Sequence, residues 1–213
     1  MTKITERGMI FNGEMVRALL DGRKTQTRRI VKGTDGAVKF CKEWNINGEE
    51  VFVVLGEKDH TGMNPVLGVI SCPFGAVGDR IWVREAFRVH SRATDVATLV
   101  YKASERNSWT EQTRRVPVAV CNKPATPEKW TPSLHMPRWA SRILLEITGV
   151  RVERLRSMSQ DDARAEGVIA ASGPMEAGLA FRELWDSIYG EESWKANPWV
   201  WVIEFKRVEG GAA

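Results

Sequence analysis

The segment Trp199-Val200-Trp201-Val202-Ile203-Glu204-Phe205-Lys206 constrains the fold more than any other part of the chain. On an extended backbone Trp199, Trp201, Ile203 and Phe205 leave one side, and Val200, Val202, Glu204 and Lys206 the other. A stretch so rich in β-branched and aromatic residues reads as a strand. The same alternation recurs in Arg80-Ile81-Trp82-Val83-Arg84-Glu85, directly after the turn signal Gly78-Asp79. Thr98 to Tyr101 and Val116 to Val120 read as further short strands. So do Ile143 to Ile147 and Val150 to Leu155, joined at Gly149. Cys41 to Trp44 and Val51 to Leu55 are expected to form a hairpin.

Helical signals are few and short. Asn12 is placed to cap a helix running to Asp21, with Met15, Val16, Leu19 and Leu20 on one face and Gly22 just past its end. Ser159-Gln160-Asp161-Asp162 reads as a capping box opening a helix that stops at Gly167. Met175 to Tyr189 places Phe181, Leu184, Trp185 and Ile188 on one face, and Gly190 ends it. Ala103 to Arg115 reads as a polar loop. Asn122 to Pro137, with four prolines, reads as an irregular excursion. The expected class is mainly β with short helices (α+β), a compact β-barrel with helical excursions. No repeat or linker divides the chain, so a single domain over residues 1–213 is expected.

Hydrophobic residues make up 43% and charged residues 27%, which excludes global disorder and fibrous repeats. No apolar run approaches the roughly 20 residues of a membrane helix, and Met1 to Gly8 lacks the apolar stretch of a secretory signal. A cytoplasmic protein with no membrane partner is expected. Cys41, Cys72 and Cys121 are scattered, as are His60, His90 and His135, and no C-x-x-C, H-E-x-x-H or H-x-E occurs. That spacing argues against a disulfide framework, a structural zinc site, a zincin and a zinc deaminase. No Walker loop or G-x-G-x-x-G is present, and neither metal nor cofactor is expected.

The net charge of +4 is mild, but its distribution is not even. Arg23, Lys24, Arg28, Arg29 and Lys32 lie between Gly22 and Thr34 with no acid among them. Arg138, Arg142, Arg151, Arg154 and Arg156 form a second concentration, and both stretches suit phosphate contacts. A lysine among arginines, partly desolvated, has its pKa lowered, and such a lysine beside a hydroxyl is one route to an activated nucleophile. Lys24 and Thr27 would leave opposite faces of an extended chain but could converge in a turn. Glu166 stands in the last turn of the helix after Ser159, against the negative end of the helix dipole, where a neighbouring cation would compensate it.

These residues resemble the ASCH superfamily, whose fold is a PUA-like β-barrel. The motif G-x-K-x-x-x-x-R is matched by Gly22, Lys24 and Arg29. Its longer form, G-R-K-T-x-T-x-R, is matched from Gly22 to Arg29 and resembles that of the small bacterial N4-acetylcytidine amidohydrolases. Gly78-Asp79 with Ile81 and Val83, Leu145 to Thr148, and Val202 to Lys206 resemble three strands of the family in the same order. Residues at about 33–73 and 89–137 would then be insertions. The whole chain looks still more like a group of phage and prophage ASCH-type proteins, to which Pro132 to Trp139 and Asn197 to Trp201 look typical. The resemblance implies Thr27 as nucleophile, Lys24 as its base and Glu166 as the partner that orients or polarises. Glu166 would raise the Lys24 pKa while Arg23, Arg28 and Arg29 lower it, and the sequence leaves that balance open.

Arg23, Thr25, Arg28, Arg29, Lys32, Glu85, His135 and Arg138 are the expected contacts to nucleic acid or substrate, with Arg29 alternatively a bidentate partner of Glu166. Nine tryptophans is a high count. Trp82, Trp139, Trp185, Trp199 and Trp201 are expected in the core. Trp44, Trp109, Trp130 and Trp194 lie in polar surroundings, where one could stack on a base or anchor its own loop. Three functions remain open: a metal-independent amidohydrolase acting on N4-acylated cytidine or a related base, a non-catalytic reader of RNA, single-stranded nucleic acid or modified DNA, and a phage accessory or structural protein.

Overall fold

A computed structural model of the chain describes residues 4–169 and 176–208. In chain order the elements are β1 (Glu6–Ile10), α1 (Gly13–Leu20), β2 (Gln26–Ile30), β3 (Lys39–Trp44), β4 (Glu50–Leu55), β5 (Val66–Ile70), β6 (Arg80–Arg84), β7 (Phe87–Arg92), β8 (Val96–Tyr101), α2 (Trp109–Gln112), β9 (Thr113–Pro117), β10 (Leu144–Arg154), α3 (Gln160–Ala165), α4 (Glu176–Tyr189), α5 (Glu191–Ala196) and β11 (Trp199–Arg207). The chain is mainly β, as its alternating segments require. Its strands form three sheets, however, and no closed barrel occurs among the described residues. In the two three-stranded sheets the outer strands β3, β5, β7 and β9 each have one neighbour, so both sheets stay open. No described helix is long and apolar enough to cross a membrane. The chain divides into two compact units, Met1–Gly22, Arg80–Glu146 and Lys206–Ala213 in the first, Arg23–Asp79 and Ile147–Phe205 in the second.

In the first unit β1 runs parallel to β6, with Gly8 opposite Trp82, and the start of β10 pairs antiparallel with β6. Strands β7, β8 and β9 form an antiparallel meander. Phe87, Val89, Ala97, Leu99, Tyr101 and Val116 bury one face of it against Cys121, Met136 and Ala140. The proline-rich stretch is therefore anchored at its end, and the Tyr101 hydroxyl donates to the Ala140 carbonyl at 2.8 Å. Helix α1 forms where its cap was expected, with Asn12 Oδ1 accepting from the Met15 amide at 2.8 Å and Gly22 at φ +73° past its end.

Two sequence readings in this unit are corrected. The strand expected from Val116 to Val120 spans Thr113–Pro117 instead, because the Pro117 carbonyl accepts from Val120 and Cys121 and closes a turn. The loop expected from Ala103 to Arg115 contains α2, opened by a capping box of Ser108 and Glu111, and the start of β9. The stretch read as an insertion at about 89–137 includes most of this meander.

In the second unit β3, β4 and β5 form an antiparallel sheet from the other stretch read as an insertion. The expected hairpin is present as β3 and β4, closed where Asn45 Oδ1 accepts from the amides of Asn47 and Glu49. β11 lies between β10 and β2 and is covered on both faces. Val200 and Val202 pack with Leu155, Ala163, Ala177, Phe181 and Trp185 from the helical side. On the other face Trp199 meets Phe40 and Trp201 meets Phe52, with ring centroids 4.9 and 5.0 Å apart. The two β segments expected on either side of Gly149 are one continuous strand, β10. Helix α4 is described from Glu176, so its expected first residue Met175 lies outside the described residues.

Gly8 sits where β1 passes the Trp82 indole, and a Cβ added there would lie 2.5 Å from the ring. The indole is rigid, and the Arg84 guanidinium stands 5.4 Å from its centre. Gly8→Ala is expected to lose about 1–3 kcal/mol of stability by overpacking. Urea unfolding of the two proteins measures it, and an unchanged midpoint would contradict this packing.

Candidate charged centre of the second unit

The motif from Gly22 to Arg29 leaves α1, crosses the end of α3 and enters β2. At the crossing the Thr25 amide donates to the Ala165 carbonyl at 2.8 Å, and Lys24 and Glu166 form an isolated antiparallel bridge. The carbonyls that close α3, from Ala165 to Gly167, lie beyond its last intrahelical bonds and need outside donors. Arg23 supplies one to Gly167 at 2.6 Å, and Lys24 Nζ supplies one to Glu166 at 2.9 Å. Two cations thus meet the negative end of α3, which resolves the placement of Glu166 as a carboxylate at that end.

Lys24 Nζ also lies 2.7 Å from Glu166 Oε2. Arg28 Nη1 donates to the other oxygen, Oε1, at 3.0 Å. Arg28 Nη2 donates to Glu153 Oε1 at 2.6 Å and stands 3.6 Å from Asp162 Oδ1. Lys24, Arg28 and Glu166 are 3%, 2% and 2% exposed, so this is an interior cluster. Around it, Arg151 donates to Glu153, Asp162 and Glu204, and Gln26 Nε2 donates to the Asp162 carbonyl at 2.7 Å. Arg28 also stands 5.8 Å from the centre of the Phe181 ring.

The open balance at Lys24 resolves downward. Burial is the largest cause, Glu166 opposes it, and Arg29 and Arg28 add smaller downward pushes. At Asp162 burial pushes the carboxyl up, but the hydrogen bonds from Ser159 and Gln26 and the charge of Arg28 outweigh it, leaving the pKa at about 2.

β2 decides where Thr27 goes. Arg28 is opposite Val202 and Thr27 opposite Ile203 on β11, so the two side chains leave opposite faces. Arg28 takes the face of α3, and Thr27 takes the other, fully buried, with Arg29 Nη1 donating to its Oγ1 at 3.0 Å. The structure therefore brings together Lys24, Arg28 and Glu166, while Thr27 leaves β2 on the face opposite Arg28. Arg28 meets carboxylates and has no exposed side-chain surface for a phosphate. Arg23, Thr25 and Lys32 are exposed and Arg29 is half-buried.

Glu85, His135 and Arg138 belong to the first unit. His135 is exposed, and Arg138 Nε donates to Glu6 at 2.9 Å. The second basic stretch is largely consumed internally: Arg142 pairs with Glu85, Arg151 with acids, and Arg154 stands 4.3 Å from the Trp199 ring. Among the tryptophans of polar segments, Trp194 packs into the helical core and Trp130 lies 4.5 Å from the Arg88 guanidinium. Trp109 meets His90 edge-on at 5.1 Å, and Trp44 is exposed. Glu153 belongs to the centre without having been singled out in the sequence, and Arg151, read there only as one of a basic concentration, belongs to it too; their local signal is opposite charge two positions apart on one strand. No group of His, Cys, Asp and Glu suited to a metal ion occurs among the described residues. Compared with known families, curated proteins and solved structures, the chain matches none.

Removing Glu166 leaves two buried cations short of a partner, whereas removing Lys24 leaves Glu166 paired with Arg28. Glu166→Gln is therefore expected to cost on the order of 3–5 kcal/mol, and Lys24→Met distinctly less, in denaturant unfolding. Equal losses would refute the shared-carboxylate arrangement.

Asp162 also sets an acid limit. Its folded pKa of about 2 lies below its ordinary 3.8. The unfolded chain thus takes up the proton first, and the stabilisation, full above 3.8, disappears as pH falls towards 2. Asp162→Asn should flatten stability against pH in that window, and an unchanged acid profile would count against the assignment.

Proposed function

We propose that this chain is an ASCH-type, PUA-like protein directed at a modified nucleoside or the nucleic acid carrying it, acting as a metal-independent amidohydrolase on N4-acylated cytidine or a related base. The observation that supports this reading is the Lys24–Glu166 contact of 2.7 Å, with the lysine pulled below its ordinary pKa. An amine depressed in this way can take a proton from an attacking oxygen and return it to a departing nitrogen. Hydrolysis of the acyl amide consumes one water and releases a carboxylic acid and the free exocyclic amine. Glu166 supplies the charge that holds the protonated amine between those two transfers.

The resemblance assigns the attack to Thr27. Because β2 turns that hydroxyl to the face opposite Arg28, the form best suited to this geometry has Lys24 activating a water. A second reading is favoured by the closure of the cluster, since Lys24, Thr27 and Glu166 are 3%, 0% and 2% exposed. In it the protein is a non-catalytic reader, and exposed Arg23, Thr25 and Lys32 contact phosphates.

One assay separates them. The wild type is incubated with acylated cytidines, with and without EDTA, and free cytidine is measured by chromatography. The hydrolase releases cytidine in both conditions, Lys24→Ala loses about 100-fold or more, and Thr27→Ala loses far less if water attacks. A comparable loss in Thr27→Ala would return the attack to the threonine. No product from the wild type ends the enzymatic reading. A reader would instead bind single-stranded oligonucleotides, with a log–log salt slope near −0.7 for each phosphate contacted, reduced by charge reversal at Lys32.

A further inference from the structure

The first unit contains a cavity of about 840 Å³, none of whose lining residues belongs to the Lys24 cluster. That volume lies within the roughly 300–1,000 Å³ of small-molecule sites. Glu85 lines it and is 2% exposed. Arg142 fixes this carboxylate from behind, with Nε donating to Oε1 at 2.8 Å and Nη2 donating to Oε2 at 3.0 Å. Arg142 is itself locked: Nη2 donates to Ser104 Oγ at 2.9 Å, Nη1 donates to the Glu111 carbonyl at 3.1 Å, and the guanidinium stands 4.1 Å from the Tyr101 ring. Each carboxylate oxygen has two lone pairs, so Glu85 keeps acceptor capacity on both after Arg142 is served. It is a preorganised acceptor in the cavity wall.

The rest of the lining supplies the complement. Phe11 and Ala103 contribute apolar surface. Arg17, Lys102 and Arg106 contribute cations, and all three are exposed. Glu14 and Glu105 also line the cavity, so its charge is nearly balanced. That balance suits one small anionic group and disfavours a polyphosphate or a nucleic-acid backbone. A ligand that matches these features donates hydrogens from one end and carries one anionic group at the other.

We propose that this cavity binds a nucleoside monophosphate with an amino-bearing base, the base donating to Glu85 and the phosphate meeting Arg17, Lys102 and Arg106. Guanine can give one such hydrogen bond, to the free lone pair of a single carboxylate oxygen, because Arg142 takes the side of the carboxylate that two adjacent donors would need. Cytosine and adenine each offer an amino group, whereas uracil turns carbonyl oxygens toward the carboxylate.

Titration calorimetry of the full chain with GMP, CMP, AMP, UMP, guanosine and a 5′-phosphorylated oligonucleotide tests this. At least one amino-bearing monophosphate should bind saturably, with UMP about tenfold or more weaker and guanosine weaker by a similar factor. The oligonucleotide should displace bound free nucleotide only weakly; displacement as strong as by the nucleotide itself would transfer the site to nucleic-acid ends and overturn the proposal. Arg106→Ala, at an exposed position, should weaken monophosphate binding several-fold and leave guanosine unchanged. Glu85→Gln should erase discrimination against UMP. If that variant does not fold, Arg106→Ala and the wild-type UMP comparison still decide the matter. Lys24→Ala should bind as the wild type does, so failure here is distinct from failure of the hydrolase reading. No saturable binding of GMP, CMP or AMP, or UMP binding as tightly as the best of them, would overturn the site.

Discussion

The Glu166 carboxylate is the charge on which the interior of the second unit depends. It accepts from Lys24 on one oxygen and from Arg28 on the other, and all three side chains are out of water. A buried ion is costly, by several kcal/mol even after relaxation. Glu166 is tolerated because its partners come from the same short segment that binds the end of α3 through backbone bonds. The segment, the helix end and the strand β2 are therefore one construction. Loosening any of them exposes the others to an uncompensated charge.

The same construction explains why the middle of an apparently open basic run is interior. Arg28 is held by Glu166 and Glu153, and its neighbour Thr27 is turned to the far side by strand alternation. What stays exposed is the polar margin of Arg23, Thr25 and Lys32. The chemistry of the centre is that of desolvated charges in contact, with the lysine driven towards neutrality mainly by the loss of water.

Much of this was readable before the fold was known, but only where the signal was local. Glu166 at the wrong end of a helix pointed to a nearby cation, and Lys24 is that cation. The β11 alternation and the Asn12 and Ser159 caps are written in consecutive residues. β2 was not legible, because Gln26 to Arg29 are polar on both faces and the strand is specified by its partner β11. The burial of Arg28 was equally hidden. It requires Glu153 from β10, Glu166 after α3 and Phe181 from α4, none of them near it in the chain. The open sheets are illegible for the same reason, since alternation reveals a strand but not where its sheet stops.

The division of β10 and β11 between the units carries a consequence for biosynthesis. Glu146 ends one segment of the first unit, and Lys206 begins another that returns to it, pairing with Glu146 at 2.9 Å while the Val208 amide donates to the Leu144 carbonyl. A nascent chain cannot make those contacts until residues 206–208 have cleared the ribosome, although residues 80–146 emerge much earlier. The meander of β7, β8 and β9 can close locally during that wait. The β1–β6–β10 ladder is left without these terminal contacts, a pattern of distant pairing that slows folding and lengthens exposure to chaperones.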